Sequence, residues 1–190
     1  MHNLENYEIL LDFITPAINK KFENQKEYLA CAKGCSLCCK TVSMPYSEIE
    51  FEYIKQGFNS LNSEEQKEIT DKIKNITENK NETACPFLKD DICSVYKYRG
   101  LICRTFGLLF INENGEHTVP FCVHNGLNYA KIFDEKTQKL SVEKYKEQGF
   151  SNEPTFHTLT REQIFNLTIT KDLGITPGES KPLSEWLKTL

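Results

Sequence analysis

Four cysteines stand within nine residues, Cys31-Ala-Lys-Gly-Cys35-Ser-Leu-Cys38-Cys39, and four more follow at Cys85, Cys93, Cys103 and Cys122. No other feature restricts the fold as much, because thiols this dense either cross-link or share a cation. Compartment decides between the two: cytosolic thiols stay reduced, and clustered ones then serve metal or redox chemistry. The opening residues MHNLENYEILLDFITPAINK carry acidic side chains where a secretory leader would be basic, and no apolar run approaches the span of a bilayer. A cytoplasmic protein without a membrane partner is therefore expected, with metal binding ahead of disulfides. The sequons at Asn75, Asn81 and Asn166 do not argue otherwise, since a chain rich in Asn and Thr matches so short a pattern by chance.

A C-x2-C pair such as Cys35 and Cys38 lets a tight turn present two sulfurs to one ion while backbone amides point at them, and Gly34 eases that turn. Cys39 is expected to face another direction, toward a second metal or into the interior as a buried thiol. Cys85, Cys93 and Cys103 are spaced more widely, as in loops folded around a site. Neither half holds enough well-spaced ligands for two sites alone, so the segments are expected to converge. Cys122, in Pro120-Phe121-Cys122, suits a closing contribution.

Four thiolates around a divalent ion leave a net charge of about −2, which a low-dielectric setting penalises unless donors or cations lie close. Arg104 follows Cys103 directly, among Leu101, Ile102, Phe106 and Leu108. It is expected to donate its fork to a sulfur or to a carbonyl of a ligand loop, with Arg99 bracing the same loop. Lys33 and Lys40 flank the first cluster. His124, two residues from Cys122, is a further candidate ligand; His117 decorates a hairpin, and His2 and His157 read as solvated.

The net charge of −4 comes without a basic stripe, so nucleic acid is not an expected partner. The chain has no GxSxG, no P-loop and no dinucleotide-binding glycine pattern, and no carboxylate pair marks acid and base work. Its 190 residues suit one domain, 1–190, with a cysteine-cluster core at 31–122 between helical flanks at 1–30 and 123–190.

The expected fold is mainly α with a small β-hairpin, a compact helical scaffold around loop-borne cysteines. Leu4, Tyr7, Leu11, Ile14 and Ile18 recur at helical spacing, with an interruption or bend at Pro16. Ser47 and Glu50 form a capping-box pattern ahead of Phe51, Ile54 and Phe58, with Gly57 as the stop. Ser63 and Gln66 repeat the start signal before Ile69, Ile73 and Ile76, and that segment ends in the polar run 78–83. Gly107 to Ile111 and His117 to Val119 read as a hairpin around Asn114-Gly115. Helices are expected over Leu127 to Phe133, over Arg161 to Leu167 behind Thr160, and in a short piece bearing Trp186 behind Ser184.

The run CAKGCSLCC, followed by CPFLKDDICSVYKYRGLICRTFG, resembles the cysteine-cluster family with a zinc- or iron-chelating domain, which includes flagellin lysine N-methylase-like sequences. The resemblance covers roughly residues 31 to 122. It implies ligand roles for Cys31, Cys35, Cys38, Cys39, Cys85, Cys93 and Cys103, with Arg99, Arg104 and Phe106 as flanking pattern residues. Two positions depart from the family pattern: Gly100 stands where proline is usual, and Ser36 where glycine is common.

Zinc and an iron–sulfur cluster both satisfy four thiolates. Cys31, Cys35 and Cys38 also have the spacing of radical enzymes that bind an iron–sulfur cluster and S-adenosylmethionine. Those enzymes carry a repeated β/α barrel for which this chain has neither the length nor the alternation. Three function classes follow: a metal-binding protein with a structural or metal-handling cluster, an S-adenosylmethionine-dependent protein-lysine methylase on another fold, and an adaptor whose C-terminal helices dock a protein partner.

Overall fold

The computed structural model describes residues 3–32, 34–41, 44–78, 84–112 and 114–190. The expectations at His2, Lys33 and Asn81, and most of the polar run after Glu78, lie outside the described residues. The protein is mainly helical, with strands only in small antiparallel pairs. In chain order the first elements are α1 (Leu4–Asn24), α2 (Leu37–Thr41), β1 (Pro45–Ser47), α3 (Glu48–Asn59) and α4 (Ser63–Glu78). Next come β2 (Leu88–Lys89), β3 (Ile92–Cys93), α5 (Leu101–Thr105), β4 (Phe110–Ile111) and β5 (His117–Thr118). The chain ends with β6 (Phe133–Asp134), β7 (Lys139–Leu140), α6 (Val142–Gln148), α7 (Arg161–Phe165), α8 (Thr168–Asp172), β8 (Ser180–Pro182) and α9 (Leu183–Trp186). Among the described residues no helix is long and apolar enough to cross a membrane.

Packing divides the chain into two compact units, one of residues 1–10, 33–104 and 165–190, the other of residues 11–32 and 105–164. Helix α1 contributes to both and runs on through Pro16 instead of breaking there. Its buried stripe, Tyr7, Leu10, Leu11, Ile14 and Ile18, follows the helical period of the sequence.

The first unit is organised by α3. Ser47 precedes it and donates both its amide (2.9 Å) and its hydroxyl (2.7 Å) to Glu50 Oε2, while Glu50 Oε1 accepts the amide of Leu101 (2.7 Å). Glu50 is 0% exposed, so these donors stand in for the water it has lost. The loop 177–179 completes the start of α3: the Glu48 amide donates to the Glu179 carbonyl (2.8 Å) and the Ile49 amide to that of Pro177 (3.2 Å).

Gly57 does not stop the helix, which continues to Asn59; a Cβ there would come within 2.6 Å of the Tyr98 ring. The residue is glycine because an aromatic ring crosses α3 at that point. Helix α4 is capped by Asn62, whose Oδ1 accepts the amides of Glu64 (3.1 Å) and Glu65 (3.0 Å), one residue earlier than the Ser63 signal. It buries Ile69, Ile73 and Ile76 as their spacing requires. Strand β1 pairs with β8, setting Tyr46 opposite Lys181. Nothing local in the sequence announces that pairing.

The second unit packs Tyr28, Leu109, Val123, Tyr129, Ile132 and Phe133 together, with the Tyr28 and Tyr129 rings stacked at 5.5 Å. β4 and β5 form the expected hairpin around Asn114-Gly115. The helix expected over Leu127 to Phe133 does not form. Tyr129 takes φ +62°, leaving only a 3-10 turn at Ala130–Ile132 before the chain extends into β6, which pairs with β7. His157, read from the sequence as solvated, is buried; its Nδ1 accepts the Leu159 amide (3.0 Å), and its backbone bonds to Leu109 and Ile111 hold it there. His117 stacks on Phe156 at 4.0 Å.

Two outcomes are expected. A Cβ at Gly100 would lie 2.5 Å from the Tyr46 ring and 2.9 Å from Glu50 Oε1. Gly100→Ala should therefore lower stability by about 1–3 kcal/mol in urea unfolding, the usual range for overpacking a tight interior. Burial, aided by the Lys21 charge, pushes His157 down to about 4 from an ordinary value of about 6.5. The fold keeps this imidazole neutral, so its contribution is complete above the unfolded value and is lost as pH falls from there through the folded one. His157→Asn, which retains an acceptor for the Leu159 amide, should flatten the melting-temperature profile over that acid window relative to wild type.

Candidate metal centre

The cysteines of the first unit arrive on four short elements. Cys38 and Cys39 lie on α2, Cys85 precedes the β2–β3 hairpin, Cys93 ends β3, and Cys103 sits in the middle of α5. The hairpin turns through Asp90 (φ +48°) and Asp91 (φ +61°), which meets the demand of a two-residue loop for two left-handed residues. Aspartate tolerates that region better than most side chains. The sequence carried this turn as Lys-Asp-Asp-Ile, a weaker signal than Asn-Gly or Asp-Gly.

That turn also fastens the first cysteine segment to the second. Ser36 Oγ donates to Asp91 Oδ1 (2.6 Å), and Lys40 forms an ion pair with the same carboxylate. Lys40 and then Ser36 hold the Asp91 carboxyl below its ordinary range. The Cys85 amide donates to the Cys39 carbonyl (2.7 Å). Ser36, buried where the family pattern commonly has glycine, is thus the hydroxyl that ties α2 to the hairpin.

Cys38, Cys85, Cys93 and Cys103 are half-buried. Burial raises the Cys85 thiol first, and negative charge on Cys103, Cys93 and Cys38 would raise it further; the Phe87 amide acts against this. Cys103 is pushed up to about 12 by burial, with Cys93 and Cys38 adding to the rise and the Tyr46 hydroxyl and Arg99 opposing it. Burial also raises Cys93, against the Val95 amide and Arg99. Cys38 and Cys93 thus lie near enough for their ionisation to bear on both Cys85 and Cys103. Cys38 is raised above all by a hydrogen bond with the Cys39 thiol, then by burial and the Cys39 charge. The adjacent thiols, read as diverging, meet.

The amide-to-sulfur contacts expected around Cys38 are present there, from its own amide and that of Cys39, and they recur at the hairpin, where Cys85 and Cys93 each face the amide two residues on. Cys103 has a polar partner in Tyr46, whose hydroxyl lies 2.8 Å from Sγ. Sequence reading passed over Tyr46, seven residues beyond Cys39, because nothing in Pro45-Tyr46-Ser47 distinguishes a site residue from a core aromatic.

Arg104 reaches no sulfur. Its Nε donates to the Arg99 carbonyl (2.9 Å) and its Nη2 to that of Lys97 (2.6 Å), closing the chain between Cys93 and Cys103. Arg99 is the cation that lowers Cys93 and Cys103; its Nη1 donates to the Cys103 carbonyl (3.4 Å), and its guanidinium lies 3.5 Å from the centre of the Tyr96 ring.

Cys35 is exposed, two residues before α2. Cys31 and Cys122 belong to the second unit. Cys31 Sγ accepts from Asn128 Nδ2 (3.0 Å), and both cysteines lie close enough to Tyr129 to oppose ionisation of its phenol. His124 is exposed, with Nδ1 3.3 Å from Glu135 Oε2.

The residues of the first unit fit a closed thiolate site in donor type and number. Four half-buried sulfurs come from separate segments, with the Phe87 and Val95 amides directed at two of them and the Tyr46 hydroxyl beside a third. Among the described residues no three His, Cys, Asp or Glu side chains are already disposed to hold an ion together.

No curated protein and no solved structure matches the chain. A family model does match, over residues 30–123, which hold all eight cysteines. Its description is a putative zinc- or iron-chelating domain, and by this match residues 30–123 form a domain of the CxxCxxCC family.

Proposed function

We propose that the protein is a metal-binding cysteine-cluster protein of a reducing, cytoplasmic setting, whose centre takes zinc or iron through Cys38, Cys85, Cys93 and Cys103, with the Cys39 thiol hydrogen-bonded to Cys38 beside it. The observation that carries this reading is the gathering of Cys38, Cys93 and Cys103 near enough to Cys85, and of Cys38 and Cys93 near enough to Cys103, to raise those thiols, together with the Phe87 and Val95 amides turned toward Cys85 and Cys93. Amides so placed lower the cost of a thiolate, and a cation shared by four thiolates removes most of what remains. A bound ion would supply a cross-link between segments 38–39, 85–93 and 103. Arg99 holds positive charge at the Cys93 and Cys103 side, and Arg104 keeps the connecting chain closed.

Metal analysis of anaerobically purified full-length protein tests this. One four-thiolate centre per chain is expected, colourless with zinc or coloured by sulfur-to-iron charge transfer. Cys85→Ser and Cys103→Ser should each lose most of the metal, while Cys122→Ser should keep it. Wild-type metal content in both Cys85→Ser and Cys103→Ser would overturn the assignment.

Metal removal should also loosen the backbone locally. Residues 84–105 form two-residue strands and a five-residue helix, too little regular structure to hold clustered thiols by packing alone. Hydrogen exchange should accelerate over this segment on chelation while α3 stays protected. Unchanged protection there would show that the fold does not depend on the ion.

A further inference from the structure

We propose that Tyr46 is the positioning residue of the metal centre, and that the C-terminal segment 180–187, outside the matched domain, holds Tyr46 in place, so that metal retention depends on that segment. The inference rests on the thiolate centre proposed above. Its geometry lies within the first unit. Tyr46 is 2% exposed, and its hydroxyl lies 2.8 Å from Cys103 Sγ. While both groups carry their protons either can donate; a metal-bound Cys103 thiolate has none, and the Tyr46 hydroxyl is then the donor and the sulfur the acceptor.

Both ends of the residue are fixed. The ring lies against Gly100, where a Cβ would come within 2.5 Å of it, so the turn entering α5 leaves no room for another ring position. The backbone is held from the C-terminus: β1 pairs with β8, Trp186 Nε1 donates to the Tyr46 carbonyl (2.9 Å), and the Leu183 amide donates to the Met44 carbonyl (2.9 Å). Trp186 is seated by stacking on Phe51 at 5.3 Å and by Lys181 over its ring at 4.8 Å. The phenol can therefore keep its aim at Cys103 only while 180–187 is docked.

A hydrogen bond to a thiolate is stronger than one to a thiol. Converting Cys103 to a metal-bound thiolate accordingly strengthens the Tyr46 bond and, through it, the docking of 180–187. By linkage, docking strengthens metal binding by the same factor.

The test uses full-length protein loaded with cobalt(II), whose thiolate absorption reports the ligands directly. Tyr46→Phe keeps the ring and removes the donor. It should take up cobalt to the wild-type stoichiometry, shift the sulfur-to-cobalt band, and release the metal to EDTA about 10-fold faster, the lower end of what losing a partner of a ligand costs. Trp186→Phe keeps the stacked ring and loses the bond to the Tyr46 carbonyl; it should release cobalt faster to a smaller degree. In wild-type protein cobalt should slow hydrogen exchange over 180–187, a measurement independent of whether either variant folds. Cobalt uptake by the wild type with an unshifted band and wild-type release in Tyr46→Phe would overturn this inference alone, as would exchange over 180–187 that ignores the metal. Failure of the wild type to bind cobalt through thiolates would overturn the centre itself and this inference with it.

Discussion

A carboxylate cut off from water must find protein donors for both oxygens, and Glu50 finds them in places that decide the rest of the first unit. One oxygen takes the amide and hydroxyl of Ser47, where β1 passes into α3; the other takes the Leu101 amide, the first of α5. A single side chain thereby joins the residue after Tyr46 to the start of the helix that carries Cys103. Leaving the Leu101 amide without that acceptor would cost about 1–3 kcal/mol. The carboxylate sits at the starts of α3 and α5, where the aligned peptide dipoles favour negative charge. Gly100 follows from the same junction: the residue before Leu101 must pass between the Glu50 carboxylate and the Tyr46 ring, and only hydrogen fits at its α-carbon.

The charge around the thiols is handled by backbone and phenol more than by cations. Arg104, the residue that sequence makes most prominent, spends its fork on the Arg99 and Lys97 carbonyls. Those bonds answer a backbone need, because the chain between Cys93 and Cys103 contains only a 3-10 turn at Tyr96–Tyr98 and leaves its carbonyls open. Arg99 then stands as the nearer charge, steadied over the Tyr96 ring. Arginine suits both tasks because its planar fork reaches two carbonyls at once and its flat face lies on an aromatic ring.

Much of this was legible in the sequence because the signals were local. The apolar stripes of α1 and α4, the Ser47–Glu50 pair and the β4–β5 hairpin all follow from residues a few positions apart. What stayed hidden depends on partners distant in sequence. Gly57 looks like a helix stop until Tyr98 is seen crossing it, and Tyr46 looks like core until Cys103 lies beside its hydroxyl. Leu127 to Phe133 has helical composition, yet Tyr129 takes a left-handed backbone because its ring is held against Tyr28 and its amide by the Tyr28 carbonyl (2.9 Å). His157 lacks any periodic context that would predict burial; a single parallel bridge to Phe110 draws it in. The cysteine pattern named the chemistry, and only the fold distinguishes one thiol from another.

That distinction has a chemical basis in the second unit as well. Asn128 is 1% exposed, and its amide orientation follows from its partners: Oδ1 must face the Ala30 amide (2.8 Å), which can only donate, so Nδ2 must face Cys31 Sγ (3.0 Å) and the Gly107 carbonyl (2.9 Å). Cys31 is consequently a hydrogen-bond acceptor from a fixed buried amide, and Gly107 is glycine because a Cβ would lie 2.7 Å from that amide nitrogen and 2.9 Å from that sulfur. The sulfur of Cys103 lies against a phenol hydroxyl, those of Cys85 and Cys93 face backbone amides, and that of Cys38 meets its neighbour Cys39. Donors directed at sulfur stabilise the thiolate over the thiol. Six of the eight cysteines are therefore held in four different hydrogen-bonding environments, and it is those environments, more than the spacing of the residues, that distinguish how readily each sulfur gives up its proton.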